Sequence, residues 1–188
     1  LPDPASPDTE PQDPSLLREP LLRATDPKRG ASHAPIVLTE FSDFSCDGCQ
    51  QFQPVISDVL KKFPNTILHV WKDFPLPVHP GARQTHIAAR CAQQQGFFWE
   101  YHDALFARTS LLSEEYDAIA TTLPMDANQF SECTQGALTD SLIEEHRQEG
   151  QLLAIHETPT LFVNGQRLPS PPTKESLIEV IDEHLKNI

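Results

Sequence analysis

The segment that decides the fold runs Ile36-Val37-Leu38-Thr39-Glu40-Phe41 and leads, after a short polar turn, into Cys46-Asp47-Gly48-Cys49. Its first part is a mainly apolar run of β-forming residues, which predicts a buried strand. Apolar side chains then recur at helical spacing up to Pro64. These helical positions are Phe52, Val55, Ile56, Val59 and Leu60. A second apolar run, residues 66–74, predicts another strand, so the order is that of a βαβ unit with parallel strands.

The rest of the chain divides by composition and periodicity. Residues 1–30 are rich in proline and aspartate and predict a flexible leader, because they offer little apolar surface to bury. Residues 79–150 show helical periodicity with polar breaks and no convincing strand. Residues 160–163 then predict a strand, Asn164-Gly165 a hairpin turn, and residues 174–185 a closing amphipathic helix.

Charge and cysteine content exclude several classes of protein. The net charge of −13 argues against nucleic acid or an anionic membrane as a partner, and no apolar run is long enough to insert into a membrane. The chain begins with Leu1, which is compatible with a removed signal peptide or anchor and equally with trimming. Four cysteines form one close pair and two distant singles, so a zinc ribbon is not expected and no metal site is predicted. Their even number permits two disulfides and an oxidising compartment.

The close pair Cys46 and Cys49 lies where a predicted strand ends and a helix begins. A helix N-terminus offers unpaired N–H groups and a partial positive charge, which favour a thiolate and make the outer cysteine nucleophilic. The second sulfur is then close enough to resolve a mixed disulfide. Structural disulfides and metal sites share this spacing, but its place inside a βαβ unit indicates redox chemistry.

Two further residues belong to the predicted site. Glu40 lies six residues before Cys46, where a carboxylate can assist proton transfer to Cys49; a strand-end residue facing solvent is the alternative. Pro159 stands directly before a strand, a position suited to a cis peptide bond with Thr158. Because only about 5% of X–Pro bonds are cis, this prediction needs independent support.

That support is a resemblance to a known family. Residues 30–185 resemble the DsbA-like branch of the thioredoxin superfamily. The matching pieces are residues 34–46 (APIVLTEFSDFSC), 72–76 (KDFPL) with His79-Pro80, 89–92 (ARCA), 98–106 (FWEYHDALF) and 158–165 (TPTLFVNG). The resemblance implies an α/β thioredoxin fold in two parts, residues 31–78 and 151–188, with a helical domain inserted at residues 79–150.

The resemblance also implies a function. It implies an active-site dithiol at Cys46 and Cys49, a cis-proline at Pro159 facing it, and a buried acid at Glu40. Such a protein exchanges disulfides with protein substrates, needs no cofactor beyond its own redox-active disulfide, and relies on a separate redox partner protein. We expect a monomer outside the cytoplasm, in a bacterial periplasm or cell envelope.

Two departures from the family pattern bear on redox strength. Asp47-Gly48 stands where DsbA-type oxidases usually carry Pro-His, and Glu157 stands two residues before Pro159, where glycine is common. Negative charge near the Cys46 sulfur disfavours the thiolate, so we expect a dithiol oxidase of moderate potential. A disulfide reductase or isomerase and a thiol-based Cu(I)-binding protein remain alternatives, although Met125 is the single methionine.

The distant cysteines Cys91 and Cys133 both lie in the helical region. Some members of the DsbA-like branch carry a comparable pair as a structural disulfide, whereas free cysteines are also common in protein cores. Given an oxidising compartment, we expect a disulfide that staples the insertion. In the chain-entropy model it contributes roughly 4 kcal/mol.

Overall fold

The computed structural model describes residues 17–108, 113–170 and 172–187. Its strands are β1 (Lys28–Gly30), β2 (Ile36–Ser42), β3 (Ile67–Asp73), β4 (Thr160–Val163) and β5 (Gln166–Arg167). Its helices are α1 (Asp47–Lys62), α2 (Ala82–Gln94), α3 (Phe98–Phe106), α4 (Ser113–Thr122), α5 (Ala127–Gln135), α6 (Leu138–Leu152) and α7 (Lys174–Lys186). The predicted α/β thioredoxin fold is confirmed, with α2 to α6 between β3 and β4.

The strands form one mixed sheet in the order β1-β3-β2-β4-β5. β2 and β3 are parallel, as the βαβ pattern predicts, whereas β1, β4 and β5 each pair antiparallel with a neighbour. β2 is central, with Glu40 opposite Trp71 on one side and Leu161 on the other. Both edges of β2 are therefore paired, and its residues are almost all buried.

Alternate residues of β2 enter different parts of the core. Ile36 and Leu38 pack with α1 and α7, in a cluster that includes Ile56 and Leu177. Phe41 faces the other side of the sheet, where its ring meets Phe74 and Phe162 edge to face. A third cluster joins the inserted helices to the start of α1, around Trp71, Phe44 and Tyr101. This third cluster includes Cys46 and Cys49, so the insertion packs directly against the predicted site.

The N-terminal segment differs from the expected flexible leader. Residues 28–30 form β1 at the sheet edge, and the Lys72 ammonium, itself buried, binds the carboxylates of Asp26 at 3.0 Å and Glu149 at 3.2 Å. Arg23 also pairs with Glu149. The prediction is wrong for residues 17–30, because strand pairing and buried ion pairs offset the ordering entropy that apolar burial alone does not. Residues 1–16 lie outside the described part of the chain.

The inserted helices are held together by a covalent link. Cys91 in α2 and Cys133 in α5 form a disulfide across a separation of 42 residues. Cys91 is fully buried beside Ala88 and Ala92. The expected pairing is therefore present. In the part of the chain that is described, no helix has the length and apolarity needed to cross a membrane.

Candidate active site

The cysteine pair lies at the start of α1, at the carboxyl end of β2. Cys46 has extended backbone geometry and is the N-cap residue, and its sulfur accepts the N–H of Cys49 at 3.3 Å. This contact satisfies one of the free N–H donors of the first helical turn. It also holds the sulfur at the positive end of the helix dipole. Cys46 is 8% exposed and Cys49 is fully buried, so substrate can reach only the first sulfur directly.

The two thiols titrate in opposite directions. The hydrogen bond from the Cys49 thiol is the main cause that lowers the pKa of Cys46 to about 6, with further help from Thr158 and against the effect of burial. Burial raises the pKa of Cys49 well above its ordinary value, and the adjacent Cys46 sulfur raises it further. At neutral pH the reduced site therefore holds one thiolate at Cys46 and one thiol at Cys49, which is the division of roles that disulfide exchange requires.

A loop before β4 covers one side of the pair. The Thr158–Pro159 peptide bond is cis, and the Thr158 carbonyl oxygen lies 3.4 Å from the Cys46 sulfur. A Cβ placed on Gly48 would lie within 4 Å of the Cys46 sulfur and of the Pro159 ring. Since Gly48 has no side chain and is exposed, the space above the sulfur and beside the loop stays open.

Asp43 is a residue of this site that the sequence reasoning missed. Its carboxylate accepts the N–H groups of Ser45 at 2.8 Å and Leu76 at 2.9 Å, and it binds the His79 ring at 2.7 Å. Its backbone carbonyl accepts the N–H of Cys46 at 3.1 Å. Asp43 thus ties the turn before the dithiol to the loop that follows β3.

The charge of Asp43 also acts on the dithiol. Burial raises its pKa, but hydrogen bonds and the charge of the His86 ring outweigh burial and bring the pKa to about 2. Asp43 is therefore ionised and works against the Cys46 thiolate. The available signal was its place at the end of a buried strand, three residues before the first cysteine.

The two carboxylates that the sequence singled out as modulating residues lie at the surface. Asp47 and Glu157 are both exposed, so water and salt screen their charges. The Glu157 backbone carbonyl accepts the hydroxyl of Thr160 at 2.8 Å, which shapes the loop before β4. The buried carboxylate at the turn is Asp43, fully enclosed by protein.

Glu40 is fully buried, so the alternative of a solvent-facing strand end is wrong. Its carboxylate binds His69 Nε2 at 2.9 Å and accepts the side-chain amide of Gln53 at 2.8 Å. Arg29 Nε donates to His69 Nδ1 at 3.0 Å, which leaves the ring proton on Nε2, facing Glu40. Burial lowers the pKa of His69 to about 4, so a neutral ring donates to an ionised carboxylate.

The pKa of Glu40 reflects the same contacts. Burial is the largest effect and raises it, but the hydrogen bond from His69, the charges of the His69 and His102 rings and the Ser42 hydroxyl together outweigh burial and leave the pKa below its ordinary value. The hydrogen bonds that Glu40 makes among the described residues reach His69 and Gln53 rather than Cys49. His69 and Gln53 are further residues that spacing in the sequence did not indicate. No cluster of three or more His, Cys, Asp or Glu side chains in the described ranges is placed to hold a metal ion.

Together these features define a class of protein: a thioredoxin-type domain with a helical insertion, a dithiol at a helix N-terminus and a cis-proline loop facing it. Comparison with known protein families supports the thioredoxin-type fold. A family model described as thioredoxin matches residues 23–183, and the chain belongs to the thioredoxin family.

Solved structures share the fold with its insertion. A thioredoxin-like oxidoreductase from Silicibacter pomeroyi superposes with a TM-score of 0.79 at 20% identity, over 87% of this chain and 94% of the other. BdbD from Bacillus subtilis gives 0.78 at 21% identity, over 86% and 94% of the two chains. The chain therefore has the same fold as these two proteins.

The chain is also similar in sequence to one part of longer proteins that carry a different name. The Na(+)/H(+) antiporter NhaA 3 of Salinispora tropica is 34% identical over 154 residues, which is 81% of this chain and 24% of the antiporter. The chain spans about a quarter of the length of the curated relatives it matches.

Proposed function

We propose that the chain is a thiol–disulfide oxidoreductase that exchanges disulfides with protein substrates outside the cytoplasm, as a dithiol oxidase of moderate potential. The observation that carries the proposal is the geometry of the pair: Cys46 caps α1 and is 8% exposed, whereas Cys49 is fully buried beside it. This arrangement lowers the pKa of Cys46 to about 6 and raises that of Cys49. A structural disulfide does not require the two thiols to differ in pKa, whereas disulfide exchange needs one nucleophilic thiolate and one protected resolving thiol.

In the oxidase direction, a substrate thiolate attacks the Cys46 sulfur of the oxidised pair. The Cys46–Cys49 bond breaks, Cys49 leaves with the electron pair, and it takes up a proton. A second substrate thiolate then attacks the substrate sulfur of the mixed disulfide. The substrate disulfide forms, and Cys46 leaves as the thiolate that its hydrogen bonds stabilise. The substrate is oxidised and the pair is reduced, so a separate oxidant protein has to regenerate it.

The cis-proline loop supports binding of an extended substrate. Thr158 and Pro159 lie beside the Cys46 sulfur, and Gly48 leaves room above it. A substrate backbone laid along this loop as an added strand would bring its own sulfur in line with Cys46. Close packing of Pro159 against the motif would also keep metal ions from the dithiol.

The strength of the oxidant follows from the stability of the Cys46 thiolate. A pKa of about 6 lies between about 3.5, that of a strong oxidase, and about 7, that of thioredoxin. Because a less stable thiolate makes the reduced form less favourable, we place the potential between those two classes. The Cys91–Cys133 disulfide supports an oxidising compartment, since such bonds persist outside the cytoplasm.

The test combines an exchange assay with a redox titration. The wild-type protein should oxidise a reduced, unfolded dithiol protein, Cys46→Ser should abolish this, and Cys49→Ser should accumulate mixed disulfides. Equilibration in glutathione buffers measures the potential of the pair. A potential as low as that of thioredoxin would assign the chain to the reductases, and unchanged exchange by Cys46→Ser would refute the proposed site.

A further inference from the structure

Among the described residues, no hydrogen bond joins the buried Cys49 thiol directly to the buried Glu40 carboxylate. Cys49 is fully enclosed, and its proton has to leave whenever its thiolate attacks a mixed disulfide and return whenever it leaves one. Glu40 is an ionised carboxylate on the same strand, and its hydrogen bonds among the described residues are to His69 and Gln53. A group between Cys49 and Glu40 is needed.

Helix α1 and strand β2 are placed so that Ser42 fills this position. The side-chain amide of Gln53 donates a hydrogen bond to the Glu40 carboxylate. Cys49 precedes Gln53 by four residues, so it lies on the same face of α1, about 6 Å away along the helix axis. Ser42 follows Glu40 by two residues, about 6.6 Å along the strand and again on the same face. Because helix and strand run in opposite directions in a βαβ unit, Cys49 lies against Ser42 as Gln53 lies against Glu40.

The environment of Ser42 agrees with this position. Its side chain is fully buried, and its hydroxyl oxygen makes no regular hydrogen bond with any described residue. A buried hydroxyl without a partner costs free energy, so it is free to form a hydrogen bond when a neighbouring group changes its charge. The same hydroxyl favours the charged form of both neighbours, since it contributes to lowering the pKa of Glu40 and opposes the raised pKa of Cys49.

We propose that Ser42 is a catalytic residue that passes the proton between Cys49 and Glu40. When Cys49 attacks the mixed disulfide, its proton moves to Ser42 Oγ while the Ser42 hydroxyl proton moves to the Glu40 carboxylate. The Cys49–Cys46 bond forms, the bond from Cys46 to the substrate sulfur breaks, and that sulfur leaves with the electron pair. In the oxidase direction both protons travel back, and Cys49 leaves as a thiol.

The mixed disulfide is the state in which this transfer is needed. Cys46 is then bonded to substrate and uncharged, so it no longer raises the pKa of Cys49. Burial still holds the proton on Cys49, and the relay supplies the acceptor that solvent cannot. A cavity of about 280 Å³ is lined by Gln53, Arg29 and Asp103 among others, and Gln53 donates to Glu40 from its edge.

The inference rests on the proposed function, and a two-phase experiment separates them. The reduced protein is mixed with an aromatic disulfide whose released thiolate absorbs visible light. A first release reports attack by Cys46, and a second reports resolution by Cys49. Ser42→Ala and Glu40→Gln should each slow the second phase about tenfold or more and leave the first within about twofold. The double variant should be no slower than the single ones, because the two groups act as a unit.

Ser45→Ala is the matched control, since it removes the same atoms from the neighbouring turn, and both of its phases should equal those of the wild type. If Ser42→Ala leaves the rate of the second phase unchanged, the relay is refuted. It is also refuted if the slowing in the double variant equals the product of the slowing in the two single variants, because the two groups would then act independently. Absence of the first phase in every variant would instead refute the proposed function. If Ser42→Ala does not fold, the wild-type second phase in mixtures of light and heavy water decides: two protons in transfer support the relay, and one refutes it.

Discussion

Replacing Cys49 should raise the pKa of Cys46, because the Cys49 thiol is the largest contributor to its low value. A hydrogen bond to a charged group contributes about 1.5–3 kcal/mol, and about 1.4 kcal/mol corresponds to one pKa unit. Cys49→Ala should therefore raise the pKa of Cys46 from about 6 by about one to two units. At pH 7 the thiolate fraction would fall from about 90% to between about 10% and 50%.

The matched control is Cys49→Ser, which keeps an O–H donor at the same place. Its Cys46 pKa should stay closer to the wild-type value than that of Cys49→Ala. In both variants Cys46 is the one free thiol, because Cys91 and Cys133 are bonded to each other. The ultraviolet absorbance of the thiolate, followed against pH, then reports Cys46 alone, and the pH dependence of alkylation provides a second measurement.

One result would refute this reasoning. If both variants titrate at the wild-type pKa, the donor at Cys49 has no part in stabilising the thiolate. The backbone N–H of Cys49, which both variants retain at 3.3 Å from the Cys46 sulfur, and the helix dipole would then account for the shift.

Three further predictions concern stability and tuning. The variant with Cys91→Ala and Cys133→Ala should unfold at lower urea concentration, with a loss of up to about 4 kcal/mol, and should keep its exchange activity; a folded but inactive variant would contradict a purely structural role. The wild-type protein should lose up to about 3 kcal/mol as the pH falls from about 6.5 to 4, because burial lowers the pKa of His69 to about 4 and the unfolded chain takes up that proton first. His69→Gln, which keeps the donor and acceptor of the neutral ring, should show a flatter dependence in urea titrations, and an unchanged slope would be evidence against this assignment. Asp47→Asn should move the pKa of Cys46 by less than about half a unit, since Asp47 is exposed and screened; a larger shift in the thiolate titration would restore Asp47 as a tuning residue.

Local patterns in the sequence were sufficient for the elements that carry the dithiol. The strand predicted at residues 36–41 is β2 (Ile36–Ser42), and the one predicted at 66–74 is β3 (Ile67–Asp73). The closing helix predicted at residues 174–185 is α7 (Lys174–Lys186). Apolar runs and helical spacing predict such elements well, because the apolar residues occupy the positions of each element that face the core. The cysteine pair was also predicted at a strand-to-helix junction, and Cys46 is the N-cap residue of α1.

The amino-acid composition gave a wrong prediction for the segment before β2, because buried polar contacts hold this segment in place of apolar ones. The segment before β2 looked like a solvated leader, yet Asp26 and Lys72 bury their charges together and Leu21 N–H donates to Glu149, 128 residues away. A count of apolar residues cannot detect a segment held by ion pairs, because the partners lie in distant parts of the chain.

The sequence alone determined the fold class and the order of the elements from β2 onward, and it predicted Cys46 and Cys49 as the site. Only the tertiary structure decided which carboxylate is buried beside the dithiol and which partners hold Glu40. Spacing along the chain could nominate Asp47 because it is adjacent to Cys46, but its charge is in solvent, whereas Asp43 is enclosed. The physical reason is that a pKa depends on distance, burial and hydrogen bonds in space, and these quantities are set only when strands and helices from separate parts of the chain pack together.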